Sequence, residues 1–124
     1  MNWLTFDMVL AFHQEALVSF GGEEGVRDEG LLRSALARPA HIAAYEEGAD
    51  IFRLAAAYCH GIVMNHPFID GNKRTGILAA VVFLSLNGTE VTFEEPDIAA
   101  FVLGLAASDF TEAQLAEWLR RAAE

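Results

Sequence analysis

Lysine and cysteine are nearly absent from this chain: one of each, Lys73 and Cys59, stands among 124 residues. A single cysteine excludes an internal disulfide. Set in an apolar helical run, Cys59 reads as a small buried hydrophobe in a protein of a reducing compartment. The shortage of lysine leaves 8 Lys plus Arg against 18 Asp plus Glu, a formal charge of -10. Binding along a nucleic-acid backbone needs cations clustered on one face, so direct nucleic-acid binding is not expected. Long apolar runs are missing too. The longest, from Ile77 to Leu84, is far too short to span a bilayer, and the N-terminus has no basic region leading into an apolar stretch. Neither a membrane span nor a signal peptide is expected, and the chain reads as cytoplasmic.

What is present is a composition that is 53% apolar, with alanine-rich segments interspersed with Leu, Val, Ile and Phe at helical spacing. A chain of this length buries roughly two-thirds of the surface it exposes when unfolded, enough for one sizeable core. The whole of residues 1–124 therefore reads as a single compact all-α domain of about six helices, with no internal repeat or linker. Thr5 caps the first helix, which presents Met8, Val9, Phe12, Ala16 and Leu17 as one stripe and stops at Gly21-Gly22. A second runs from about Asp28 to Arg38 and is ended by Pro39. Residues 40–50 are weakly patterned and read as a loop or a short hairpin-like flap.

Asp50 caps a third helix, Ile51 to Asn65, which Pro67 ends by forcing His66 into an extended conformation. A fourth opens near Asn72, is apolar all round from Ile77 to Leu84, and closes at Asn87-Gly88, so it belongs in the middle of the core. Residues 91–93 read as a brief extended segment, and a fifth helix is expected over 97–107 after Pro96. Thr111 with Gln114 forms a capping-box signature for a sixth that buries Leu115, Trp118 and Leu119.

The polar residues of interest are concentrated between the two central helices, in His66-Pro67-Phe68-Ile69-Asp70-Gly71-Asn72-Lys73-Arg74-Thr75-Gly76. A short loop between buried helices holds its side chains on a rigid frame, with Phe68 as the anchor into the core. The N–H groups after Gly71 open a helix without intrahelical acceptors, and with the helix dipole they form an anion site. Lys73 and Arg74 add full charges there, Gly71 permits close backbone approach, and the Asn72 amide offers a donor to a phosphoryl oxygen. A bare carboxylate at Asp70 would repel that anion unless a Mg²⁺ ion lay between, so Asp70 is the candidate metal ligand. His66 is the candidate general base.

Each of these residues taken alone has a plainer role. His66 suits a capping histidine and Asp70 an N-cap. A cationic pair, however, is disfavoured at the positive end of a helix unless an anion visits it, and this favours a ligand. His13 and His41 lie in segments without ligand partners, and the spacing of His60, His66 and Asp70 matches no standard zinc pattern.

The motif resembles the signature of the Fic/Doc family, most closely its Doc (death-on-curing) branch. Phe20-Gly21-Gly22 with Gly25, the Ala-Tyr-Glu-Glu run at 44–47 and Phe83 through Gly88 extend the likeness along nearly the whole chain. The resemblance implies a helical Fic-like fold that binds ATP with Mg²⁺. It also implies His66 as the base, Asp70 as the metal ligand, and Gly71, Asn72, Lys73 and Arg74 as the phosphate cradle.

Most of that family transfers AMP to a protein hydroxyl, whereas the Doc branch phosphorylates a threonine of elongation factor Tu and arrests translation. The AMP-transferring pattern has glycine where this chain has Lys73 and a second arginine where it has Ile77. Both departures favour the kinase, while Gly71 matches the AMP-transferring pattern. The likeness further implies a toxin silenced in trans by a cognate antitoxin, and a target-docking flap over residues 40–50. The rival readings are a protein adenylyltransferase and a catalytically weak antitoxin-binding module.

Overall fold

The computed structural model describes residues 1–93, 104 and 110–123. Five helices lie among them: α1 (Phe6–Phe20), α2 (Glu29–Tyr45), α3 (Ile51–Asn65), α4 (Asn72–Leu86) and α5 (Glu112–Ala122). The described chain is all-helical, with no strand beyond one isolated antiparallel bridge between Val26 and Phe68. The helix expected over 97–107 falls outside the described residues except at Gly104, which is helical.

Local side-chain chemistry starts four of the five helices where the sequence places them. Thr5, Asp28, Asp50 and Thr111 each accept a backbone N–H of the first turn of α1, α2, α3 and α5, from Met8, Leu31, Arg53 and Gln114 respectively. At α5 the box is reciprocal, since the Gln114 side chain also accepts the Thr111 N–H at 2.8 Å.

α3 is the central element and packs against α2, α4 and α5, while α1 lies across α4. Leu54 through Cys59 and Ile62 are buried on α3, facing Ala79, Ala80, Phe83 and Leu84 of α4. Gly76 makes the α3–α4 approach possible: a Cβ there would lie 3.0 Å from the Cys59 carbonyl oxygen and 3.1 Å from Val63. Tyr58 stacks obliquely on Phe83, and its hydroxyl accepts the Leu4 N–H at 3.1 Å, fastening the N-terminal segment to the core.

Two expectations are corrected, the end of the second helix with the flap beyond it, and the backbone at His66. Pro39 does not end the second helix. α2 continues through it to Tyr45, and only a short turn over residues 46–50 precedes α3, so no flap hairpin forms. Pro39 is fully buried and Ile42 packs on the core, so burial together with the helix-favouring alanines beyond offsets the lost hydrogen bond. His66 is not extended but left-handed, with φ 50° and ψ 53°. Its N–H closes α3 on the Ile62 carbonyl at 3.1 Å, an αL cap that turns the chain sharply toward α4. Residues 91–93 have no regular secondary structure, and the Thr92 N–H reaches the Ala122 carbonyl.

Candidate active site

The site is built where α3 stops and α4 starts. The left-handed His66 leaves the last carbonyls of α3 without helical partners, and Arg27, from the α1–α2 connection, takes them. Its Nε donates to the His66 carbonyl at 2.7 Å and its Nη2 to that of Asn65 at 3.0 Å. The same connection runs alongside the motif loop, with the Arg27 and Asp28 N–H groups on the Pro67 carbonyl and the Ile69 N–H on the Gly25 carbonyl. The loop is thus held from outside by backbone pairing as well as from beneath by its own anchor.

That anchor is Phe68, fully buried, with the His13 ring stacked on it at 3.8 Å between centroids and 7° between planes. His13 Nε2 lies 2.8 Å from the Asp70 carbonyl oxygen, so the ring donates there and clamps the Asp70-Gly71 turn from α1. The sequence reading assigned His13 no partner. Its partners stand 55 and 57 residues away, and only a helix packed across the loop brings them together.

Asn72 forms the inner clamp. Its Oδ1 accepts the Phe68 N–H and its Nδ2 donates to the Phe68 carbonyl, both at 3.0 Å, which fixes the orientation of the amide. The second Nδ2 hydrogen points at His66 Nδ1, 3.2 Å away. The side chain is buried and occupied, so what Asn72 can present to an anion is its backbone N–H. The contact also makes Nδ1 the acceptor of the His66 ring, on the side that faces α4. His66 itself is exposed.

Asp70 is exposed and does not cap α4. The N-cap is Gly71, at φ 80°, which has no side chain to offer, so the first-turn amides of α4 are left without a side-chain acceptor. The Asp70 carboxylate accepts the Gly71 N–H at 2.9 Å through Oδ1 and the Glu23 N–H at 3.3 Å through Oδ2. An exposed carboxylate held by two backbone donors at the edge of an anion site suits Mg²⁺, which is commonly bound by one or two carboxylates together with substrate phosphates. Among the described residues no cluster of three or more His, Cys, Asp or Glu forms an all-protein metal cage.

The cations distinguish this place from the rest of the molecule. Arg27, Arg33, Arg38, Arg53, Arg120 and Arg121 each hold a carboxylate or a carbonyl. Arg74 holds neither among the described residues, and its guanidinium lies 3.6 Å over the centre of the Phe20 ring. Lys73, next to it, has no anionic partner there either. The side chains of Lys73 and Arg74 are therefore left without an anionic partner among the described residues, in a protein with an excess of ten negative charges.

A second polar cluster, remote in sequence, is paired in charge. Glu112, in the first turn of α5, forms a two-pronged pair with Arg38 of α2, the Nη2–Oε2 arm at 2.6 Å, and lies 3.2 Å from Arg53 and 4.0 Å from His60 of α3. Burial pushes the Glu112 carboxyl up, but the Arg38 hydrogen bonds and charge, with Arg53 and His60, hold it below the usual range. Cys59, on α3, is buried, and burial pushes its thiol up to about 12.

A family model described as the Fic/DOC family matches residues 3–84. The chain is 32% identical over 121 residues to Protein kinase doc of Escherichia phage P1, covering 98% of this chain and 95% of that protein. It is 43% identical over 75 residues to Toxin Doc of Mycolicibacterium smegmatis, covering 60% of this chain and 58% of that one.

Proposed function

The chain belongs to the Fic/DOC family, and from that premise we propose that it is a Doc-type toxin kinase. It would transfer the γ-phosphoryl group of ATP to a Ser or Thr hydroxyl of a protein, with elongation factor Tu as the expected target and translation arrest as the outcome. A single observation carries the reading: among the described residues the Lys73-Arg74 couple at the uncapped N-terminus of α4 has no anionic partner, and it follows Asn72, whose amide contacts the His66 ring.

The amides of Asn72, Lys73 and Arg74 and the two cationic side chains bind the triphosphate, and Gly71 leaves the approach free of side chain. Asp70 is the residue to hold Mg²⁺, which when bound offsets phosphate charge between that carboxylate and the nucleotide. His66 takes the proton of the attacking hydroxyl at Nδ1, where the long contact to Asn72 gives way. The hydroxyl oxygen forms a bond to the γ-phosphorus, the bond from that phosphorus to the bridging oxygen breaks, and ADP leaves.

Two features favour phosphoryl over adenylyl transfer. Lys73 puts a side chain where AMP-transferring relatives have glycine, and Ile77, in the place of their second arginine, is buried in the core. The name of the phage P1 relative agrees with this choice. A cognate antitoxin is the expected partner and the cytoplasm the expected compartment. Among the described residues no helix is long and apolar enough to cross a membrane.

The test is incubation with Mg-ATP and purified translation factors, followed by intact-mass analysis. A gain of one phosphoryl group on the target is expected. A gain of one AMP would overturn the kinase assignment in favour of the adenylyltransferase. Undiminished toxicity of His66→Ala in cells would favour a binding module instead.

A further inference from the structure

Phe20 is the last residue of α1 and is 57% exposed, so it adds little to the core. An exposed phenylalanine at a helix end is without evident structural purpose until its contact with Arg74 is considered: the central carbon of the guanidinium lies over the ring, 3.6 Å from its centre. The end of α1 is firm, since the Gly21 N–H returns to the Leu17 carbonyl at 2.7 Å. The ring is therefore carried by a fixed helical turn.

Stacking on the flat face of a guanidinium leaves its five N–H donors free in their plane. A carboxylate in the same position would occupy those donors, as Glu112 does for Arg38. An aromatic face thus restrains an arginine without neutralising it, which is what a residue awaiting a phosphate requires. We infer that Phe20 is a positioning residue for Arg74, holding the guanidinium flat with its donors open toward the nucleotide phosphates. This rests on the phosphate-binding role proposed above for Arg74.

The test is a double-mutant cycle on Mg-ATP affinity by calorimetry, using Phe20→Leu, Phe20→Trp, Arg74→Ala and the Phe20→Leu/Arg74→Ala pair. Phe20→Leu is expected to weaken binding about threefold, Phe20→Trp to restore it, and Phe20→Leu to add nothing once Arg74 is gone. If Arg74→Ala weakens binding and Phe20→Leu does not, the positioning role is overturned while the phosphate site stands. If the effect of Phe20→Leu persists in the Arg74→Ala background, Phe20 touches the nucleotide directly and the inference likewise fails.

If Arg74→Ala binds like the parent, it is the phosphate site that fails. A readout free of nucleotide covers that case: the heteronuclear NOE of the Arg74 Nε–H should fall in Phe20→Leu and recover in Phe20→Trp. An unchanged NOE would show that the ring does not restrain the arginine.

Discussion

Two helix N-termini in this protein are treated in opposite ways. α5 opens with a reciprocal capping box and an acidic residue, Glu112, whose charge suits the positive end of the dipole and is paired with Arg38. α4 opens with a glycine cap, no side-chain acceptor and two adjacent cations, each of which the dipole disfavours. The first arrangement stabilises the bundle. The second leaves donors and charges unmatched among the described residues, and an anionic ligand would match them. Function is to be sought where local stability rules are broken on a frame that obeys them elsewhere.

The comparison is sharpened by changing each end and measuring both stability and chemistry. The largest effect is expected at His66: replacement by Ala should lower target phosphorylation by roughly 10²- to 10⁴-fold, with little change in melting temperature, since the side chain is exposed. Arg74→Ala should weaken Mg-ATP binding on the order of tenfold or more, the usual loss of a charge-assisted contact. Its thermal stability should change little, because the removal of an unfavourable cation from the helix end offsets the lost stacking on Phe20.

At α5 the pattern should reverse. Glu112→Gln leaves Arg38 and Arg53 without their anion. After allowance for solvent screening at this half-buried site, it should cost about 1–2 kcal/mol in denaturant unfolding and leave Mg-ATP affinity unchanged. Thr111→Ala should cost about 1 kcal/mol through the lost cap, again without effect on the nucleotide.

The same cluster sets an acid limit. For Glu112, burial alone would raise the carboxyl, and Arg38 and its neighbours more than reverse this. Asp50 is also held low: burial raises it, but the Arg53 N–H and the Arg120 side chain prevail. Depressed folded values contribute stability that is complete above the ordinary carboxylate range and is lost as pH falls through the folded values. Melting temperature should therefore drop steadily on the acid side of that range, with a smaller drop in Glu112→Gln. An identical acid profile for parent and variant would remove Glu112 from the account.

How much of this was legible in the sequence divides along the same line. Thr5, Asp28, Asp50 and Thr111 act on amides two or three residues away, so their roles follow from local pattern. The fold class and the clustering of His66, Asp70, Lys73 and Arg74 around one loop were also readable. Contacts across the bundle were not. His13 reaches Asp70 over 57 residues, and Arg27 reaches His66 over 39. At Pro39 a local helix-breaking rule is overridden by burial against the core, which no window of sequence displays. Asn72 suits a phosphate by its type, whereas the fold commits its side chain to Phe68 and His66.

The central claim is that the opening turn of α4 receives the phosphates of a nucleotide, and backbone-amide NMR during titration with Mg-ATP tests it most directly. The N–H signals of residues 71–74 should shift first and furthest, with the Arg74→Ala variant requiring more nucleotide for the same change. Shifts confined to another part of the bundle, or none at millimolar nucleotide, would contradict it.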